Sequence, residues 1–288
     1  MKAAFAIRWT VGEVSAHGFD ALRLSILGAA GAFGPDTPLA VVVNSIAPKE
    51  ARRRVGQLDC DVEWLSAQEV PACLAPFLDR EMAEGVAWKF RPLRLFPERF
   101  EIALDNDCIL WRIPPTIAAW REEIPARCLI AADVKPAFGA FASITGPEPR
   151  NTGIRGFPPG YDLGSSLAAV LREHPIPLRS ELDEQGLEAA ALDRGHKAVI
   201  VPTREVTICS PFWPHEPRLG SSGAHFVGLN AHNLPWRWYD RPATDCVVEN
   251  YAALKPEICR RIDAACRTGG LCGKAVPEIG EAAGLRGG

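Results

Sequence analysis

Short apolar runs alternate with a helix-patterned segment through the first 65 residues, and this alternation limits the chain to a few architectures. Lys2 to Ile7 is a strand-type run. His17 to Ala32 then places Phe19, Leu22, Ile26, Leu27 and Ala30 at helical spacing. Leu39 to Val43 is β-branched and unbroken, the pattern of a strand buried on both faces. Pro48 to Leu58 is Arg-rich and reads as an exposed helix, and Val62 to Leu65 as a third strand. Strand–helix–strand order predicts parallel pairing, because a right-handed crossover returns each strand beside its predecessor with helices covering the faces.

The pattern continues less regularly. Arg80 to Leu95 reads as a helix interrupted at Pro92, and Phe100 to Leu104 as a strand. Cys108 to Ile113 is apolar until Pro114-Pro115 stops it. Leu129 to Ala132, Phe138 to Ile144, Ala198 to Pro202 and Val206 to Cys209 are strand candidates. Leu163 to Arg172 and Glu181 to Arg194 are helix-like. Pro211 to Trp238 is loop chemistry, rich in Pro, Gly, His, Trp and Asn. Asn250 to Thr268 reads as a last helix broken at Pro256, with a small, polar tail from Gly269. At 288 residues and 47% hydrophobic content, the chain can bury one large core with a small extension.

A formal charge of −3 supplies no general basic face, so nucleic acid is excluded as a general partner. The longest apolar stretch, around Leu24 to Phe33, falls short of the roughly 20 residues of a membrane span. No signal peptide is recognisable, and a cytoplasmic location is expected. The nine cysteines are irregularly spaced, which argues for reduced thiols. The spacings of 13, 7 and 6 among Cys246, Cys259, Cys266 and Cys272 match no paired zinc knuckle.

The chemistry concentrates where the strand Phe100 to Leu104 runs into Asp105-Asn106-Asp107. Carboxylates two apart on an extended chain point the same way and can converge beyond the strand's carboxyl end, where open α/β sheets bind ligands. Hard divalent cations take such oxygens and bridge them to phosphates. An Asx turn that merely ends the strand is the competing reading. Three more segments accompany the pair: Asn151-Thr152-Gly153-Ile154, Asp183-Glu184-Gln185-Gly186-Leu187, and His225-Phe226-Val227-Gly228-Leu229-Asn230 followed by Leu234-Pro235-Trp236.

In that order, these segments make the chain resemble the GT-A-fold glycosyltransferases, in motif order the family of glycogenin and the bacterial lipopolysaccharide galactosyltransferases. The family has a Leu-Asp-x-Asp strand end, an Asn-(Ala/Ser/Thr)-Gly segment, an acidic-Gln pair on a helix and a late His-x-x-Gly with Pro-Trp. The resemblance implies an α/β, GT-A-like fold with a mixed, mostly parallel sheet and helices on both faces. A catalytic domain over residues 1–240 and a helical extension and tail over 241–288 are expected.

It implies a hexosyltransferase-like enzyme using Mn²⁺ or Mg²⁺ and a nucleotide-sugar donor, with a UDP-sugar as the expectation. The acceptor is left open. Asp105, Asp107 and His225 would hold the metal. Asn151, Glu184 and Gln185 would form the catalytic group, with Gln185 positioning the sugar. Lys89 or Arg94, Asn106, Gly153, Gly228 and Asn230 would bind the donor. The alternative is a non-catalytic nucleotide-sugar or carbohydrate binding protein. Two departures stand out. The first strand runs into Arg8-Trp9-Thr10 without the family's acidic segment, and Ala231 occupies the place of a phosphate-binding lysine, for which His232 or Asn230 could substitute. Trp faces in the Pro211 to Trp238 loop could contribute to the acceptor site, since they stack on sugars, or could simply pack.

Overall fold

The computed structural model describes residues 4–268. Lys2, Cys272 and the tail from Gly269 lie outside them. The opening alternation folds as β1 (Phe5–Val11), α1 (Ala16–Phe33), β2 (Leu39–Val43), α2 (Pro48–Val55) and β3 (Glu63–Ser66). The chain continues through β4 (Phe100–Asp105), β5 (Cys108–Leu110), α3 (Pro115–Glu123), β6 (Leu129–Ala132) and β7 (Arg150–Phe157). Then come α4 (Leu163–Glu173), α5 (Glu181–Leu192), β8 (Val199–Val201), β9 (Val206–Ile208), β10 (Gly223–His225), β11 (Arg237–Trp238), β12 (Arg241–Pro242) and α6 (Ala243–Thr268).

The main sheet has seven strands in the order β3-β2-β1-β4-β7-β6-β8. All are parallel except β7, which runs antiparallel to both neighbours. The connection reverses direction between β1 and β4, the switch point where open α/β sheets leave a crevice. A second sheet, β5-β10-β9, stands at that edge, and β11 and β12 form a separate ribbon.

Period-two alternation divides the central strands. Ile7, Trp9, Ile102, Leu104 and Ile154 pack into one core with α1. Ala103, Ile130 and Phe157 pack on the other face with Leu187 and Ala191 of α5. A third cluster joins α6 to α1 through Tyr251, Ile258 and Ile262 against Ala21, Leu24 and Leu27. Ser15 caps α1, accepting from Gly18 N, and Ser180 with Asp183 forms a capping box on α5. Among the described residues no helix is long and apolar enough to cross a membrane.

Three expectations need correction. Arg80 to Leu95 forms no α-helix. It is a run of turns containing a 3₁₀ turn over Trp88–Phe90, because Gly85 and Ala87 take positive φ and Pro92 withholds a donor. Phe138 to Ile144 forms no strand: Gly139–Phe141 is a 3₁₀ turn, and Phe138 and Phe141 pack beneath α5. The last helix begins at Ala243 and runs through Pro256 unbroken. Asn151 to Ile154, given no element in the sequence reading, lies in the buried first part of β7.

Candidate metal centre and its buried charge network

The two carboxylates converge, by a different route from the expected one. Asp105 ends β4, while Asn106 and Asp107 form a turn into β5, so the pair does not lie on one extended strand. The second sheet supplies the third group. β10 pairs antiparallel with β5, setting His225 opposite Cys108, and Phe226 N donates to Asp107 O at 2.9 Å. His225 Nε2 lies 3.2 Å from Asp107 Oδ1 and 3.8 Å from Asp105 Oδ2. One ligand atom from each of the three residues lies within 4.8 Å of the others, and among the described residues no other acid, His or Cys group gathers this way.

Asp107 Oδ1 is buried and accepts no hydrogen bond, and His225 Nδ1 is equally without a partner. Buried polar atoms rarely go unsatisfied, so an orphaned carboxylate oxygen facing an imidazole nitrogen fits a cation between them. Two carboxylates and one imidazole suit Mn²⁺ better than the purely oxygen-seeking Mg²⁺. Asp107 Oδ2 is held by Asn230 Nδ2 at 3.0 Å, and Asn230 Oδ1 accepts from Asn106 Nδ2 at 2.5 Å. Asn106 also donates to Gly18 O, which ties the turn to the start of α1.

Gly153 makes room for the imidazole. A Cβ there would lie 2.4 Å from both Cε1 and Nδ1 of His225. Gly228 contributes only a turn, with φ at +87°. His232 is exposed and lies beside Glu13, away from the acid pair.

The acid pair is anchored in a row of buried charges. Strand register sets Arg8 of β1 and Arg155 of β7 on either side of Ala103 of β4. Glu101 and Asp105 follow two residues either way on that face. Arg8 Nε donates to Glu101 at 2.6 Å and Arg94 Nε at 3.1 Å. Arg155 lies 3.6 Å from Asp105 and 3.4 Å from Glu188 of α5. Lys89 Nζ donates to Asp105 Oδ2 at 2.8 Å and to Thr152 Oγ1 at 3.1 Å.

Burial alone would push the Asp105 carboxyl up, but Lys89, Arg155 and His225 together hold it below the usual carboxylate range. Burial likewise opposes charge on His225, and Asp107 with Asp105 nevertheless carries it above the usual imidazole value.

The sequence left Lys89 and Arg94 as alternatives, and the structure brings only Lys89 to the acid pair. All five N–H donors of Arg94 are taken, by Glu101 and by the carbonyls of Pro158, Tyr161, Phe96 and Arg99. Gln185 Oε1 accepts from Thr152 N at 3.1 Å, and its Nε2 donates to Ala137 O at 2.8 Å. Asn151 Oδ1 accepts from Gly153 N at 2.7 Å, while its Nδ2 donates to Asp133 Oδ2 at 3.1 Å. Glu184 Oε2 accepts from Ala87 N at 2.5 Å, fixing the left-handed turn that leads into Lys89. Burial raises the Glu184 carboxyl to about 7.

Arg155, Glu188 and Asp133 complete these contacts and were not singled out in the sequence. The available signal was an arginine between Ile154 and Gly156, and a second glutamate one helical turn after Glu184.

No protein-family model matches the chain, and no curated protein matches it. Solved structures do. Mouse xyloside xylosyltransferase 1 superposes with a TM-score of 0.50 at 11% identity, covering 78% of this chain and 97% of that one. The galactosyltransferase LgtC, solved with donor and acceptor sugar analogs, gives 0.49 at 11% identity, covering 86% and 95%. The bifunctional glycosyltransferase WbbM gives 0.49 at 14%, covering 91% of this chain but 52% of that one, so the chain spans about half of that protein's length. Likeness at such identities concerns the fold: the chain has the GT-A arrangement expected from its motif order.

Proposed function

We propose that this chain is a metal-dependent glycosyltransferase that moves a sugar from a nucleoside-diphosphate donor to an acceptor. One observation carries the reading: Asp105, Asp107 and His225 meet at the switch-point crevice with an orphaned carboxylate oxygen between them. A divalent ion held there, Mn²⁺ by the donor set, would neutralise the charge that develops on a leaving diphosphate.

The chain's own groups do the remaining work. Lys89, braced between Asp105 and Thr152, presents a second cation to phosphate oxygens. Arg155 and Glu188 hold Asp105 in place from the sheet side. Asn151 and Gln185 are locked at their protein-facing atoms, and an amide nitrogen keeps a second N–H for a sugar hydroxyl. Asn230 takes up Asp107 Oδ2 and so orients its other oxygen toward His225. Catalysis is assigned to residues 1–240, and 241–288 to a helical extension and tail, of which α6 backs α1. It places the enzyme in the cytoplasm with a UDP-sugar as the first donor to test.

The test is a thermal-shift screen of nucleotides and UDP-sugars with and without Mn²⁺, followed by an assay of donor hydrolysis. A ligand bound only by the folded state raises stability, by about 2.7 kcal/mol at a hundred times its Kd. The expected result is stabilisation that requires both nucleotide and metal, with slow hydrolysis, and loss of both in Asp107→Ala. Stabilisation without turnover would favour a non-catalytic nucleotide-sugar binder. No response to any nucleotide would refute the proposal.

A further inference from the structure

One surface feature is unused by the metal centre. Trp213 and Tyr239 are each 85% exposed, Trp236 42% and Trp238 37%. Large aromatic rings rarely stand in water as a group without a partner. Trp236, Trp238 and Tyr239 form one unit around buried Phe212, the chain neighbour of Trp213: the Phe212 centroid lies 4.4 Å from that of Trp236 and 5.2 Å from that of Trp238, and Trp238 lies 5.3 Å from Tyr239. The edge-to-face and tilted contacts hold Trp236, Trp238 and Tyr239 together while a large part of each ring stays exposed.

The backbone is committed to this display. Tyr239, at the turn between β11 and β12, takes φ +51°. A bulky residue is uncommon there, and Asn or Gly would fit such a turn more readily.

The loop that carries Trp213 is tied to the candidate site by a relay of side chains. Two residues after Trp213, His215 places Nε2 4.0 Å from Asp133 Oδ1, and Asp133 Oδ2 accepts from Asn151. Asn151 in turn accepts from Gly153, the residue that clears space for His225. Four consecutive contacts therefore link the aromatic loop to the metal centre.

The charges around the rings distinguish two kinds of occupant. Arg218 pairs with Glu216, Arg241 with Glu249, and Arg237 donates to Asp240 O. Arg218 and Arg241 are thus matched by acids and Arg237 is taken up by a backbone carbonyl, and with Glu216, Asp240 and Glu249 set against these three arginines the rim offers no surplus positive charge to an anionic lipid headgroup. Fixed aromatic faces without net charge suit the C–H faces of neutral sugars.

Resting on the glycosyltransferase reading, we propose that Trp213, Trp236, Trp238 and Tyr239 form the acceptor platform, and that the acceptor is a neutral oligosaccharide. Its rings stack on the exposed indoles and lead one end of the chain past His215 toward the donor sugar.

The test titrates the full-length protein with maltohexaose, cellohexaose and chitohexaose, read by tryptophan fluorescence and by ligand-observed NMR. At least one should bind saturably. Trp213→Ala and Tyr239→Ala, both removing rings outside the core, should weaken that sugar at least tenfold. The same variants should keep the wild-type melting temperature and the wild-type stabilisation by nucleotide with Mn²⁺. The proposal is overturned if none of the three sugars binds, or if both variants bind as wild type does. It is also overturned if the wild type co-sediments with 3:1 phosphatidylcholine–phosphatidylglycerol vesicles and Trp213→Ala does not, which would make the patch a membrane contact. Sugar binding without any nucleotide response would leave the platform standing and remove the transferase reading, so the two failures are distinguishable.

Discussion

Gly153→Ala isolates the geometry of the candidate metal centre with a single methyl group. Gly153 sits in the extended backbone of β7, so alanine meets no conformational penalty there. Its whole effect comes from the Cβ, 2.4 Å from two ring atoms of His225 and 2.9 Å from Asn151 Oδ1. Ordinary contact requires about 1 Å more. The imidazole is buried and stands 3.2 Å from Asp107, so it cannot retreat that far and keep its approach to the acids. Overpacking of this kind costs about 1–3 kcal/mol. Misplacing a functional group by about 1 Å costs on the order of a hundredfold in what it does.

Mn²⁺ affinity, followed by loss of the free-ion EPR signal, should therefore fall about a hundredfold. Urea unfolding with chelator present should show a loss of 1–3 kcal/mol. Gly156→Ala is the control: its Cβ would meet Leu129 at 2.8 Å and the Trp120 ring at 2.9 Å, on the opposite sheet face. It should lose comparable stability and keep its metal affinity. If Gly153→Ala binds Mn²⁺ within threefold of wild type, His225 is not a ligand and the reasoning fails.

Two further substitutions probe the buried charges. Glu101→Gln leaves Arg8, wholly buried, without a carboxylate partner, and should cost about 3–5 kcal/mol in urea unfolding at pH 7. Burial works against the Glu101 charge, but Arg8 and Arg94 hold its carboxyl below the ordinary 4.5. Its contribution is therefore present above that value and lost as pH falls through the folded pKa, so the variant should show a shallower acid limb; an unchanged limb would show that the pair adds nothing. Glu184 has the opposite sign. Its rise from 4.5 to about 7 means the folded state holds the proton more tightly, so stability is full below 4.5 and falls as pH climbs to about 7. The loss amounts to about 3 kcal/mol. Glu184→Gln should flatten the stability profile over that range and exceed wild type at pH 8, and a wild-type profile already flat between pH 5 and 8 would contradict the assignment.

The residues that were easy to read and those that were not differ for a physical reason. Leu39–Val43 and Phe100–Asp105 were legible because parallel strands buried on both faces are nearly continuous apolar runs. β7, at the centre of the sheet, was hidden. Arg150, Asn151, Gly153 and Arg155 break the apolar pattern of a buried strand; Asn151, Gly153 and Arg155 are used around the acid pair, and Arg150 pairs with Asp193. Phe138 to Ile144 erred the other way. Phe138 and Phe141 are core residues, but Gly139 turns the backbone at φ +50°, and Phe138 O comes so close to Gly186 that a Cβ there would lie 2.3 Å from it. Of the candidate residues, Asp105, Asp107 and His225 could be named from spacing and resemblance. Arg155 and Glu188 could not, because only strand register places an arginine from residue 155 beside an aspartate from residue 105.

That register also explains why the acids can sit in a sheet interior at all. A lone carboxylate at Asp105 would be driven toward its neutral form, which accepts a metal poorly. Lys89 and Arg155 keep it ionised, and their own burial is tolerable because Glu188, Glu184 and Asp105 surround them. The charges are therefore mutually conditional. Each violates the ordinary rule against buried ions, and the set satisfies it only when β1, β4, β7 and α5 are all in place. Local sequence logic should fail where that condition holds, and here it fails on β7 and on the turns around Lys89, the segments that face the metal centre.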